Sequence, residues 1–166
     1  MEPRHTNADP DFTAARLPGS GLSVILALHC AHSDTAYAAL LEESGISYAD
    51  AGDESLRDHG ETAALATGAY HATREVARRL GESNFEGLCH EGCERHFYIS
   101  PVDQRFLLLS VFGNDTKLAI VRATASRTAV ALREALAGGA TPEMPSGRST
   151  HDGDFQITSD YFLAMP

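Results

Sequence analysis

The sequence predicts an α+β fold in which a five-stranded antiparallel sheet lies between helices on both of its faces. Three observations predict it. A long helical repeat of apolar and small residues lies between Gly60 and Gly81. Short apolar runs separated by tight turns follow it, which brings consecutive strands into an antiparallel meander. One of these runs, residues 106–112, is almost continuously apolar, as expected of a central strand covered on both faces.

The element order is helix, two strands, helix, three strands, helix, which is that of an α/β/α sandwich. Residues 1–21 contain three prolines and mostly polar residues, so we expect a disordered arm before a domain at residues 22–138. The first helix is predicted from residue 22 because candidate buried positions recur at helical spacing: Leu22, Ile25, Leu26 and His29. A buried strand through residues 24–26 is the alternative.

A hairpin is predicted in YAALLEESGISYADAG, residues 37–52. Ser44 and Gly45 separate two short apolar runs there, and glycine adopts the positive φ that a tight turn requires.

The main helix lies between Gly60 and Gly81, and Gly81 is placed to end it in a left-handed conformation. One face is predicted to be the core face: Leu65, Ala69, Ala72, Val76 and Leu80. A second face is mostly small and would let another helix approach closely: Thr62, Ala66, Tyr70, Thr73 and Ala77. We expect this second face to be the interface with a second copy of the chain, with burial inside the same chain as the alternative.

Three strands are predicted after the main helix, at residues 96–99, 106–112 and 118–123. In the first of them, Phe97 and Ile99 point to one face. The final helix is predicted to begin at Ser126 as its N-cap and to end at residues 138–139, with apolar contacts from Val130, Leu132 and Leu136.

A linker and a tail are predicted beyond the final helix. Residues 139–153 are rich in Pro, Gly and polar residues, and residues 154–166 carry an apolar cluster that includes Phe155, Ile157, Tyr161 and Phe162. The tail either folds back onto its own domain or docks on a partner and becomes ordered there.

Composition excludes several classes of partner. The formal net charge is −10 and Lys117 is the only lysine, so nucleic acid and anionic membranes are poor candidates. The sequence has no apolar stretch long enough to span a bilayer and no basic-then-apolar signal segment at its start. Three cysteines without a disulfide spacing favour a reduced cytoplasm.

The sequence offers little catalytic chemistry. It contains no phosphate-binding P-loop, no nucleophile elbow and no dinucleotide fingerprint, so we expect no enzymatic activity, no catalytic residues and no cofactor. CHEGCERH contains four potential zinc ligands, Cys89, His90, Cys93 and His96, but an extended strand would point them to opposite faces, and no metal site is predicted.

Three arginines near the end of the main helix are candidates for an arginine finger that acts on a GTPase: Arg74, Arg78 and Arg79. Solvated charges that complement the helix dipole are the favoured interpretation.

Four segments resemble the Roadblock (dynein light chain-like) family, and within it the bacterial MglB branch. They are the hairpin at residues 37–52, the helix ALATGAYHATREVARRLGESNF, the triplet His90-Glu91-Gly92, and an aromatic-turn-Leu-x-x-Val-Arg pattern from Phe112 to Arg122 that is similar to the last hairpin of the family. The resemblance spans residues 37–136. The C-terminal FQITSDYFLAMP is similar to the acidic and apolar tail by which the MglB branch contacts its GTPase.

The resemblance implies a cytoplasmic homodimer with a shared sheet and paired main helices, which engages a small Ras-like GTPase of MglA type. It implies stimulation of GTP hydrolysis without an arginine finger, in cell polarity or gliding motility and with the protein concentrated at a cell pole. The tail residues Phe155, Ile157, Tyr161 and Phe162 would then bind the partner. A scaffold that leaves hydrolysis unchanged and a metal sensor using Cys89 and Cys93 are the alternative functions.

Overall fold

The structure, a computed structural model, describes residues 19–57 and 61–138. The helices of this part are α1 (Gly19–Ser33), α2 (Glu61–Arg79) and α3 (Leu118–Gly138), with a short 3-10 helix at Glu54–Leu56. The strands are β1 (Tyr37–Glu42), β2 (Ser47–Gly52), β3 (Leu88–Glu91), β4 (Arg95–Pro101) and β5 (Phe106–Gly113). Residues 1–18 of the predicted arm, the linker at 139–153 and the tail at 154–166 lie outside the described residues.

The five strands form one antiparallel sheet in the order β2-β1-β5-β4-β3. One core cluster joins the sheet to α1 and α3, and a second joins the opposite face to α2. The predicted α+β sandwich with helices on both faces is therefore confirmed. No helix in the described part of the chain is long and apolar enough to cross a membrane.

Strand β5 occupies the centre of the sheet because both of its faces are apolar. Leu107 and Leu109 belong to the core under α2, whereas Phe106, Leu108 and Phe112 belong to the core under α1 and α3. Phe97 and Ile99 of β4 share one face, as predicted, and this face is the one under α2.

The β1–β2 hairpin forms where it was predicted. Gly45 in its turn has a φ of +86°, a conformation that other residues rarely adopt. A Cβ atom at Gly45 would lie 2.8 Å from the Cα atom of Ala64 on α2. Glycine is therefore required here both by the turn and by the close approach of the helix.

Helix α1 is a helix rather than the alternative buried strand, and it begins at Gly19, before the predicted start at Leu22. Leu22, Leu26 and His29 are buried against the sheet and α3, in agreement with the helical spacing. Gly81, two residues after the end of α2, has a φ of +91°, as predicted for the C-terminal end of this helix.

The predicted strand at residues 118–123 is wrong, because these residues form the beginning of α3. The buried positions of this helix keep helical spacing from its first turn onward: Val121, Thr124, Ala125, Thr128, Ala129 and Leu132. Ser126 is not an N-cap, since its hydroxyl donates to the carbonyl of Arg122 one turn earlier. The segment that resembled a last hairpin is thus a strand, a turn and a helix.

The fifth strand is instead β3, which precedes β4 and pairs with it from Leu88↔Ile99 to Glu91↔His96. It is short and lies at the edge of the sheet, and two of its four residues are exposed. A strand of this kind lacks the apolar alternation by which the other strands were predicted.

Candidate functional site: the outer face of α2 and the adjoining sheet

Helix α2 faces the sheet with its small residues. Its buried residues are Ala63, Ala66, Thr67 and Tyr70. Tyr70 is 1% exposed, and its ring centroid lies 5.3 Å from that of Phe85. Small side chains allow α2 to lie close to the sheet, and one aromatic side chain anchors it there.

The predicted core face of α2 is wrong. Leu65, Val76 and Leu80 are 74%, 56% and 79% exposed, and Ala69 and Ala72 are exposed as well. The helical spacing correctly identified these five residues as one face, but it could not determine which of two candidate faces meets the sheet. We call this set of residues (65, 69, 72, 76 and 80) the outer stripe.

The face of α2 that was predicted to meet a second copy is largely turned toward the sheet of its own chain. Ala66 and Tyr70 are buried inside their own chain, so they cannot meet a second copy. Thr73 and Ala77 are half-buried and Thr62 is exposed. The central residues of this face therefore follow the alternative interpretation, which was burial within the same chain.

The outer stripe exposes three large aliphatic side chains, Leu65, Val76 and Leu80, on one face of the helix. Surface patches of this kind mark contact sites more often than scattered single residues do. The stripe runs from the second turn of α2 to the residue that follows its end, on the side turned away from the sheet. It is the best candidate among the described residues for an interaction surface.

The arginines at the end of α2 are paired with neighbours on the same helix. Arg78 and Arg79 both bind the carboxylate of Glu75, at 2.8 and 2.9 Å, and their side-chain hydrogen bonds lower the pKa of Glu75 to about 2. Arg74 lies over the ring of Tyr70, at 5.9 Å from its centroid. These contacts agree with charges that stabilise the end of the helix.

The four residues of CHEGCERH do not converge. The ring of His90 stacks on that of Phe97 at 4.9 Å, whereas Nε2 of His96 lies 2.6 Å from Oδ1 of Asn114. Cys89 packs against the core on the α3 side, where burial raises its thiol pKa. No group of three or more potential metal ligands occurs among the residues that the structure describes.

A groove of about 360 Å³ lies beside α2 on the same face of the sheet. Apolar residues of three strands line it, among them Tyr37, Leu109, Val111 and Phe97, and Leu56 and Ala63 lie beside them. Among its lining residues the charged side chains are those of Arg57 and Arg95. Nothing in the sequence pattern predicted this groove, because it is formed where α2 leaves part of the sheet uncovered.

Solved structures share this arrangement of strands and helices. No family model matches the sequence, and no curated protein matches it. Myxococcus xanthus MglB matches the structure with a TM-score of 0.67 and 21% identity, over 76% of this chain and 96% of that one. MglB from Thermus thermophilus matches with a TM-score of 0.64 and 22% identity, over 79% and 99%.

A Roadblock/LC7 domain from Streptomyces avermitilis also matches, with a TM-score of 0.61 and 22% identity over 69% of this chain and 97% of that one. The sheet order and the placement of the three helices thus give the chain a Roadblock-like fold. Within that class, the fold is similar to that of bacterial MglB.

Proposed function

We propose that this chain is a noncatalytic, dimeric regulator of a small Ras-like GTPase of MglA type, and that it stimulates GTP hydrolysis. The observation that carries the proposal is the outer stripe of α2 on a fold similar to that of MglB. An exposed aliphatic face along a helix is a favourable contact site for a protein partner.

The dimer is proposed to form through the outer stripe together with the edge strand β3. Strand β3 ends the sheet, and among the described residues no strand pairs with its outer edge. Such an edge offers free backbone donors and acceptors to a second strand. Self-association is also supported by a similar structure described as MglB with a tetrameric arrangement, with a TM-score of 0.65 and 22% identity.

Covering Leu65, Val76 and Leu80 would remove three large aliphatic side chains from water. Each such burial contributes roughly 1.5–3 kcal/mol before ordering costs. Leu65→Glu should therefore convert the dimer to monomer in light scattering. Val24→Glu, a matched change at an exposed position of α1 on the other side of the sheet, should leave the dimer intact.

Stimulation is proposed to act through binding alone. The candidate finger residues Arg78 and Arg79 are held by Glu75, so they are poor donors to a nucleotide on another protein. A regulator that binds the catalytically arranged form of the GTPase more tightly than its other forms increases the population of that form. The catalytic groups then belong to the GTPase itself.

The tail is proposed to strengthen this contact. Phe155, Ile157, Tyr161 and Phe162 follow a linker that allows them to reach a second protein. The proposed setting is the cytoplasm, with the protein concentrated at a cell pole and acting in polarity or gliding motility.

Phosphate release by the Ras-like GTPase of the same genome, measured with and without this chain, tests the proposal. A faster rate supports it. A complex without a change in rate would favour a scaffold, and stoichiometric zinc in the purified chain would favour a metal sensor.

A further inference from the structure

The groove beside α2 leaves apolar sheet residues incompletely covered. Its floor comes from alternate residues of β1, β5 and β4, which point to the α2 face. Val111, Phe97 and Leu56 remain half-buried there, although they pack against the core under α2. Further burial of these side chains would stabilise whatever covers them.

Two cationic side chains line the groove, and one of them, Arg57, is already paired with the carboxylates of Asp50 and Glu54. The chain has a formal net charge of −10, yet both charged residues that line the groove are arginines. Arg57 is bound to Asp50 at 2.9 Å, whereas none of the ion pairs among the described residues uses Arg95. A ligand that fits this groove combines an apolar body with negative charge.

We propose that this chain's own C-terminal segment, residues 151–166, binds in the groove when no partner is bound. We call this bound position the seat of the tail. This segment has several large apolar side chains and three aspartates, and no lysine or arginine follows Arg148. Its apolar residues match the floor of the groove, and its aspartates match Arg95. The volume of about 360 Å³ suits a few side chains of a peptide rather than a folded domain.

The length of the chain permits this seat. Helix α3 ends at Gly138, and residues 139–154 separate it from Phe155. Sixteen residues span up to about 50 Å when extended. Strand β5, with eight residues, is only about 26 Å long. The linker is therefore long enough for the tail to pass around the edge of the sheet to its opposite face.

A second copy of the domain is a poorer occupant. A two-fold contact at this face would place the Arg95 side chains of both copies in one interface without an added negative charge, which does not favour association. The outer stripe, in contrast, is aliphatic and exposed, and it carries no charge that would oppose a symmetric contact. The two surfaces therefore have different occupants, and the tail must leave the groove to reach a GTPase. This release step rests on the proposed function, whereas the seat itself does not.

A tryptophan in the tail of the full-length chain tests the seat, because the protein contains no tryptophan of its own. Phe162→Trp should give a blue-shifted emission that is several-fold less accessible to acrylamide than a free tryptophan. Arg95→Glu in that background should shift the emission to the red and raise quenching several-fold. The matched control is Arg127→Glu, the same charge reversal at an exposed position of α3, which should change neither.

Tyr161→Trp provides a second reporter in case Phe162→Trp itself disturbs the seat. The proposal is overturned if both reporters are solvent-exposed in the parent chain. It is overturned equally if Arg95→Glu and Arg127→Glu have the same effect, since the tail would then lie elsewhere. No GTPase is present in this experiment, so its failure is distinct from failure of the proposed function.

Discussion

The Nε2 atom of His29 on α1 lies 2.8 Å from the hydroxyl of Ser110 on β5, and both side chains are fully buried. The other ring nitrogen, Nδ1, lies 3.0 Å from the hydroxyl of Thr128 on α3. A hydroxyl either donates or accepts, so a neutral imidazole satisfies both of its nitrogens here. One histidine thus links α1, the central strand and α3.

This contact predicts a loss of stability in mild acid. Burial lowers the pKa of His29 from 6.5 to about 4 in the folded protein, with a smaller contribution from His32. The unfolded chain therefore binds the proton first, so this contribution is complete above pH 6.5 and is lost as the pH falls from 6.5 toward 4. The loss between pH 7 and pH 5 should be about 2 kcal/mol.

Urea denaturation at the two pH values measures this loss. His29→Gln should abolish this part of the pH dependence, whereas His32→Gln, at an exposed position of the same helix, should retain most of it. An identical dependence in the native chain and in His29→Gln would contradict the assignment.

The orientation of α2 predicts different costs for two tyrosines. Tyr70→Ala removes a side chain that is 1% exposed and should lower the free energy of unfolding by about 3 kcal/mol. Tyr48→Ala makes the same chemical change at a side chain that is 41% exposed and should cost about 1 kcal/mol or less. Equal costs in urea denaturation would mean that α2 does not anchor to the sheet through Tyr70.

The tail is predicted to contribute to partner binding rather than to stability. Deletion after Gly147 should weaken GTPase binding about tenfold or more, which corresponds to about 1.4 kcal/mol. The melting temperature should change little, because a tail that leaves the groove to bind a partner is expected to be held there only weakly. A large fall in melting temperature with unchanged affinity would place the tail in the core instead.

The layered fold could be predicted because the elements that define it have clear sequence patterns. The apolar run of β5 and the Ser44-Gly45 turn each have few alternatives, and both were located correctly. The prediction of a strand at residues 118–123 failed because a short apolar run fits a strand or a turn of a buried helix equally well. Strand β3 was not predicted because it lies at the edge of the sheet, where it pairs on one side only, and it has little apolar character.

The candidate site was less predictable, and α2 shows why. Two of its faces carry helical spacing, one small and one aliphatic, and periodicity alone does not say which faces the sheet. The packing of Ala66 and Tyr70 against the strands decides the matter, and these contacts join residues from different elements. The groove is likewise a property of the assembled sheet and helix, since its lining residues come from separate segments of the chain.

Phosphate release by the Ras-like GTPase of the same genome tests the central claim most directly, with three forms of this chain compared at equal concentration. The native chain should accelerate release about tenfold or more, a lowering of the barrier by about 1.4 kcal/mol. Val24→Glu should do the same, and Leu65→Glu should lose the effect because it charges the outer stripe. An unchanged rate with the native chain, together with the absence of a complex, would contradict the account.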